Sequence, residues 1–313
     1  MKCIQPELKK LLEKQSYAFT GEHSAIKVCE WTKKSLKDED FCYKEKFYGI
    51  SSHKCCQMSP SIGFCQNRCI ICWRPIEYTI GNKMKTCIDN PEDIIKNSIL
   101  AQRKQLIGFK GNKKCNLKKL EEAMNPDQFA ISLSGEPLLY PKLNELIKKL
   151  KKRKCSVFVV SNGLEPEILK KIEPPTQLYL SVDAPNEQLF NKFDQPQIKG
   201  SWKRLMKSLN ILKKLKKKTR TVLRITLVKG MNMIYPKKYA DLIKKADPDF
   251  VEVKSYMCVG ASRNRLRLEN MPPHQEVKEF SKEIVRYCSL KILDEKQNSR
   301  VVLLGKKKSM IKK

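Results

Sequence analysis

Short apolar runs at residues 129–134, 156–161, 178–182, 222–228 and 250–253 alternate with stretches near 141–152, 165–172, 201–216 and 236–246 whose apolar residues fall at helical spacing. This alternation constrains the fold more than any other feature. A helix that returns the chain to the start of the next strand lets successive strands pair in parallel, and the helices then cover the sheet. A first strand just before or at a cysteine triplet near residue 65, followed by a helix over 91–108, brings the count to about six β/α units. That helix begins at Asn90-Pro91-Glu92-Asp93, where Asn caps, Pro takes the first helical position and the acids favour the positive end of the dipole. The chain has 313 residues, enough for one large α/β barrel, open or closed, or for two ordinary domains; the lack of an internal repeat or low-complexity linker favours the single barrel.

Such folds place their working groups at the C-terminal ends of the strands. The strand ends here carry Ser134-Gly135-Glu136-Pro137, Ser161-Asn162-Gly163, Ser181-Val182-Asp183-Ala184-Pro185, then Arg224 and Thr226 ahead of Lys229-Gly230, and Glu252 with Lys254. Polar groups in register along one edge are poorly explained by stability and read as a site. Outside the alternating region, residues 5–19 read as a helix and 274–304 as a helix with two short strands. Residues 27–60, rich in cysteine and aromatic side chains, read as a loop-dominated segment held by something other than a large core.

Charge and cysteine content narrow the class. The chain carries 64 Lys and Arg against 33 Asp and Glu, a net charge of +31. Self-repulsion of that size points to a polyanionic partner such as nucleic acid. Basic residues near the strand C-termini, including Lys254, Arg263 and Arg265, are expected to meet it, and the cluster at 213–218 to face away. No apolar run approaches the roughly 18 residues of a membrane span, and the N-terminus lacks a signal-peptide pattern, so a soluble, cytoplasmic protein is expected. Thirteen cysteines in such a chain argue for metal or redox chemistry in a reducing compartment.

Three of these cysteines, Cys65, Cys69 and Cys72, form a Cys-x3-Cys-x2-Cys triplet in Gly63-Phe-Cys-Gln-Asn-Arg-Cys-Ile-Ile-Cys-Trp73. A structural zinc site wants four protein ligands, usually as paired Cys-x2-Cys units. Three thiolates suit instead a 4Fe–4S cluster with one iron left open. The triplet, Gly135-Glu136-Pro137 and the β/α units together resemble the radical SAM superfamily over residues 57–290. The resemblance implies a partial (β/α)6 TIM-type barrel with N- and C-terminal extensions and S-adenosylmethionine (SAM) bound at the open iron. It also implies that Gly135, Glu136 and Pro137 line the groove for the methionine amino group and that Trp73 lies near the adenine. Asn162, Ser181 and Arg224 are further candidate cofactor contacts. One-electron cleavage of the sulfonium then yields a radical that abstracts hydrogen.

Upstream, Cys29, Cys42 and Cys55 recur at equal intervals, and Lys44 follows Cys42 in Phe41-Cys-Tyr-Lys-Glu-Lys-Phe-Tyr-Gly49. Their wide spacing alone is a weak metal signal. With Phe47-Tyr-Gly-Ile-Ser-Ser-His-Lys-Cys-Cys-Gln-Met-Ser-Pro60 running into the triplet, the chain resembles the archaeal tRNA 4-demethylwyosine synthases. These enzymes condense N1-methylguanosine at position 37 of phenylalanine tRNA with pyruvate-derived carbons to a tricyclic base. The resemblance implies a second 4Fe–4S cluster on Cys29, Cys42 and Cys55 and a Schiff base between Lys44 and pyruvate. Cys56 adjoins Cys55 and competes for the same ligand position.

The expected organisation is an N-terminal extension over 1–56 carrying the auxiliary cysteines and Lys44, a barrel over 57–290 and a basic C-terminal extension over 291–313. A flavodoxin-like domain of the eukaryotic relatives is missing, so a separate flavodoxin- or ferredoxin-type electron donor is expected, with the chain acting as a monomer. Competing readings are another radical SAM RNA methylthiolase or methylase, and a zinc-stabilised RNA-binding protein.

Overall fold

The computed structural model describes residues 4–85 and 87–311. Strands β1 (Ala18–Phe19) and β2 (Ala25–Ile26) form an antiparallel ribbon beside β3 (Cys55–Ser59). From β3 the strands β4 (Gln128–Ile131), β5 (Ser156–Ser161), β6 (Gln177–Ser181), β7 (Arg220–Leu227) and β8 (Phe250–Ser255) follow in parallel. At the far edge β9 (Lys291–Lys296) and β10 (Val301–Gly305) add antiparallel, giving the order β1-β2-β3-β4-β5-β6-β7-β8-β10-β9. The single sheet does not close on itself. It is the partial (β/α)6 barrel that the resemblance implied, built from the six β/α units of the alternation, with the first strand just ahead of the cysteine triplet.

Helices α1 (Pro6–Lys14), α2 (Glu30–Leu36) and α3 (Tyr43–Tyr48) precede the barrel. Within and after it come α4 (Pro91–Leu106), α5 (Leu117–Ala123), α6 (Leu143–Lys152), α7 (Pro166–Lys170), α8 (Glu187–Asp194), α9 (Ser201–Leu215), α10 (Pro236–Ala246) and α11 (His274–Val285). Local chemistry explains the main ones. Asn90 caps α4 by accepting from the Glu92 amide at 2.9 Å. In α6 the buried Leu143, Leu146, Ile147 and Leu150 recur at one-face spacing. None of the described helices is long and apolar enough to cross a membrane.

Because side chains alternate along a strand, each strand feeds two cores. Cys56 and Met58, Phe129 and Ile131, Val157 and Val159, Leu178 and Leu180, and Val251 and Val253 face the helical layer. Their neighbours Ala130, Phe158, Tyr179, Val222 and Phe250 face inward. The inner face is not empty. Contrary to the loop-dominated reading of residues 27–60, that segment forms α2 and α3, and α3 lies on the concave face of the sheet with Tyr43, Phe47 and Tyr48 buried against those strands. Aromatic contacts hold it there, including a T-shaped pair of Tyr48 with Phe250 at 5.5 Å between centroids.

Phe47 has no exposed surface, so Phe47→Ala removes the centre of this plug. Its expected cost is about 3–5 kcal/mol. Leu100→Ala on the half-exposed face of α4 should change stability by no more than about 0.5 kcal/mol. Urea unfolding followed by circular dichroism checks both.

Candidate active site

Strand β3 links the two cysteine sets. Cys55 opens the strand and the triplet begins beyond its far end, so the length of Cys55–Ser59, a rise of about 13 Å, lies between the two sets. Strand parity also settles which of two adjacent thiols faces inward. Cys55 packs with the inner cluster around α3, whereas Cys56 is fully buried under the helices.

The thiols of Cys65, Cys69 and Cys72 lie close enough to act on one another electrostatically. Burial pushes the Cys65 thiol up and the Cys69 thiol far up, the latter with help from Asp194, to which Cys69 Sγ donates at 3.1 Å. Thiols in such a setting ionise when a metal takes the proton's place. Arg74, missed in the sequence, supplies a countercharge. Burial opposes its charge, but the thiols of Cys65, Cys72 and Cys69 outweigh that and hold the guanidinium above its ordinary range. It is positioned by the Asn67 carbonyl at 2.8 Å and the Thr79 hydroxyl. Two further donors reach Cys65 Sγ: the Asn67 amide at 3.4 Å and Asn162 Nδ2 at 3.7 Å.

The strand-end motif packs against this loop. Gly135 has φ +72°, and a Cβ there would collide with the Ser61 carbonyl oxygen. The Glu136 amide donates to the Phe64 carbonyl at 2.8 Å. The Glu136 carboxylate is itself buried and fully engaged, accepting from the Leu138 amide, the Ser161 hydroxyl and the Asn162 amide. Burial raises its carboxyl to about 7. Glu136 thus ties the ends of β4 and β5 together, and Pro137 opens the short turn Pro137–Leu139 that it caps. The Trp73 indole N–H donates to the Leu133 carbonyl at 2.9 Å while the ring stays partly exposed.

Arg265 has a different employment from the nucleic-acid contact expected of it. Its guanidinium donates to the Ile70, Cys72 and Arg74 carbonyls and pairs with Glu77, strapping the cysteine loop from outside. A second strap is Gly260, whose next residue donates its amide to the Trp73 carbonyl. A Cβ at Gly260 would strike that same oxygen.

The upstream set converges as well. Cys29 precedes α2 and Cys42 precedes α3, each in extended backbone, and both influence Cys55 electrostatically. Burial raises the Cys29 thiol and lifts those of Cys42 and Cys55 to about 12, opposed in all three by the nearby Lys44. Backbone amides of Trp31 and Thr32 donate to Cys29, and that of Lys44 to Cys42. Among the described residues no three His, Cys, Asp or Glu side chains converge as a single metal ion requires. A 4Fe–4S cube does not require this, since each thiolate binds its own iron. Donor type, burial and N–H contacts to sulfur therefore fit two such clusters.

Lys44 is buried, with Nζ 4.7 Å from the Phe158 ring centroid and 5.0 Å from that of Tyr179. Among the described residues it has no hydrogen-bond acceptor or ion-pair partner. Burial, then Arg224, lowers its pKa, against the opposing pull of Cys42, Glu252 and Cys55. Arg224 lies over the other partner of that amine, 4.7 Å from the Tyr179 centroid, and pairs with Glu252 at 3.1 Å and the Tyr43 hydroxyl at 3.0 Å. Its Nε and Nη2 are thus occupied within the inner face. Ser181 stands beside it in register on β6, partly exposed. A basic cavity of about 500 Å³ near Lys151, Lys216 and Arg220 lies at the opposite, N-terminal end of the strands and contains none of these groups.

The radical SAM superfamily matches residues 59–243, and a family described as wyosine base formation matches residues 245–306. The S-adenosyl-L-methionine-dependent tRNA 4-demethylwyosine synthase of Pyrococcus abyssi is 49% identical over 303 residues, 95% of this chain and 88% of its own. The enzyme of the same name from Methanocaldococcus jannaschii is 41% identical, with 96% of each chain covered. A solved structure of TYW1 with a lysine–pyruvate adduct bound superimposes with a TM-score of 0.88 at 38% identity over 97% of both chains.

Gly135→Ala is expected to lower the melting temperature and the iron retained by the triplet, costing more than about 1 kcal/mol. Gly108→Ala, where a Cβ meets nothing within 4 Å, should be neutral. Differential scanning fluorimetry and iron assays distinguish them.

Proposed function

The chain belongs to the radical SAM superfamily and, within it, to the tRNA 4-demethylwyosine synthases, and from that premise we propose how its residues divide the work. Cys65, Cys69 and Cys72 hold the SAM cluster, and Cys29, Cys42 and Cys55 hold a second 4Fe–4S cluster. When bound, the first cluster and SAM supply one-electron cleavage and hydrogen abstraction from the N1-methyl group of the guanosine. Arg74, Asn162 and the Asn67 amide direct positive charge and N–H groups at the cysteine sulfurs, which shapes a cluster's potential. Trp73, the Gly135-Glu136-Pro137 turn, Asn162 and Ser181 border the space for SAM. Arg224 acts from the inner face, orienting the groups around Lys44.

The observation that carries the reading is Lys44 itself: an unpaired, buried amine beside the upstream cysteines. An amine attacks a ketone only when unprotonated, and burial next to Arg224 favours that form. The Lys44 nitrogen adds to the ketone carbon of pyruvate, water leaves, and an imine holds the two-carbon donor next to the methylated base. The related structure with a lysine–pyruvate adduct supports this chemistry. The target is N1-methylguanosine-37 in the anticodon loop of phenylalanine tRNA, where a single-stranded base leaves its stack at low cost. A net charge of +31 suits that polyanion. Electrons come from a separate flavodoxin- or ferredoxin-type protein, and the chain works as a cytoplasmic monomer.

Anaerobic incubation with SAM, reductant, N1-methylguanosine tRNA and labelled pyruvate, read by nucleoside mass spectrometry, should give a labelled tricyclic base. A methylthiolated or methylated product formed without pyruvate would favour another radical SAM activity.

Replacing Cys65, Cys69 and Cys72 together by Ala should remove about half the iron and all SAM cleavage; replacing Cys29, Cys42 and Cys55 should remove the other half. One zinc and no labile sulfide in the anaerobic protein would contradict both assignments.

Borohydride added with pyruvate should increase the mass of the peptide containing Lys44. Equal labelling of Lys44→Ala would show that a different amine forms the imine.

A further inference from the structure

The inner face carries more positive charge than its own carboxylates answer. Glu252, on β8, is fully buried, and both oxygens are taken: Oε1 accepts from the Tyr48 hydroxyl at 2.8 Å, and Oε2 accepts from the Tyr43 hydroxyl and from Arg224. Asp183 is also buried and accepts from the Thr226 amide at 2.7 Å. Two residues beyond Glu252 on the same strand, and therefore on the same face, stands Lys254, in register with Thr226 of β7. Its Nζ lies 5.8 Å from the ring centroid of Tyr43, the residue that precedes Lys44. Among the described residues it has neither a hydrogen-bond acceptor nor an ion-pair partner.

Charges removed from water are ordinarily paired. Arg224 meets this requirement through Glu252. Lys254, which is half-buried, does not, although Arg224, Glu252, Cys42 and Lys44 are close enough to act on it and the amine of Lys44 rests against two ring faces. A ligand that presents a ketone to Lys44 and an anionic oxygen next to that ketone would satisfy both lysines. A 2-oxo acid has that arrangement, with the carboxylate on the carbon adjoining the carbonyl.

We propose that Lys254 binds the carboxylate of the 2-oxo acid whose ketone carbon is taken by Lys44, so that selection for an oxo acid over a simple ketone resides in this residue. The proposal rests on the imine assignment to Lys44. Lys254 takes no part in the covalent step: the amine of Lys44 adds to the ketone carbon and water departs, while the carboxylate stays ion-paired with Lys254 throughout. This also removes Lys254 from the surface that meets RNA phosphates.

The test uses the anaerobic, cluster-loaded protein without SAM or tRNA, so that trapping and not turnover is read. Borohydride labelling of Lys44 is measured by peptide mass spectrometry over a range of pyruvate and, separately, of acetone, which has the ketone but no carboxylate. Wild type is expected to reach half-saturation with pyruvate at far lower concentration than with acetone. In Lys254→Met the pyruvate requirement should rise at least tenfold while acetone labelling stays within twofold, and Lys254→Arg should recover most of the pyruvate preference. An unchanged pyruvate requirement in Lys254→Met, or an equal rise for both ketones, would overturn the proposal alone. Labelling that persists in Lys44→Ala would overturn the imine assignment, and this proposal with it. Filter binding of phenylalanine tRNA provides the second arm: Lys254→Met should bind as wild type does, and a clear loss of affinity would assign the lysine to phosphate instead.

Discussion

Glu252 sits without solvent exposure on the inner face of β8, receiving Tyr43 and Tyr48 from α3 and Arg224 from β7. Burial alone would raise its carboxyl, but Arg224, Lys44 and the two tyrosine hydroxyls together bring it below the ordinary carboxylate range. The ionised group is what lets a six-residue helix lie against a sheet as a fixed part of it. So short a helix has little stability of its own. Its two tyrosines fix α3, and α3 in turn fixes Lys44 and, through its first turn, Cys42. The position of the Lys44 amine therefore depends on a carboxylate distant from it in sequence and contributed by the last parallel strand.

The cysteine loop is similarly held from several directions. Gly135 and Glu136 support it from the ends of β4 and β5, Asn162 reaches Cys65 from β5, and Arg265 and Gly260 bind its backbone from the segment after β8. That last segment falls within the region matched by the wyosine-forming family, whereas the loop falls within the radical SAM match. The family-specific part of the chain thus makes direct contact with the superfamily's shared element, and changes in one are felt in the other through hydrogen bonds to carbonyl oxygens.

Much of this was legible in the sequence. Between 129 and 253 the apolar runs announced β4 to β8 and the helical spacing announced α6, α7, α9 and α10, because each had the length and bounding turns of its element, whereas the eight-residue α8 was passed over. Within each cysteine set the thiols lie close enough to influence one another electrostatically. What failed was local. Helix α3 has too few residues to show a period, and its aromatic content reads equally well as loop. Most partners of Glu136 and Arg265 were unreadable because they are backbone atoms, which leave no residue-type signature. Arg74 was passed over beside the more conspicuous Trp73. The choice between Cys55 and Cys56 needed the start of β3, since a shift of one residue would exchange their faces.

That last pair has a consequence for how the two thiols respond to oxidation. Vicinal thiols in a flexible loop are prone to oxidise to one another. Here Cys55 and Cys56 are fixed opposite Gln128 and Phe129 in the ladder with β4, and the pleat directs their sulfurs to opposite sides of the sheet. Joining them would require breaking that pairing. Air exposure therefore does not seal Cys55 to its neighbour while the ladder holds, and the Cys55 thiol keeps its place on the inner face.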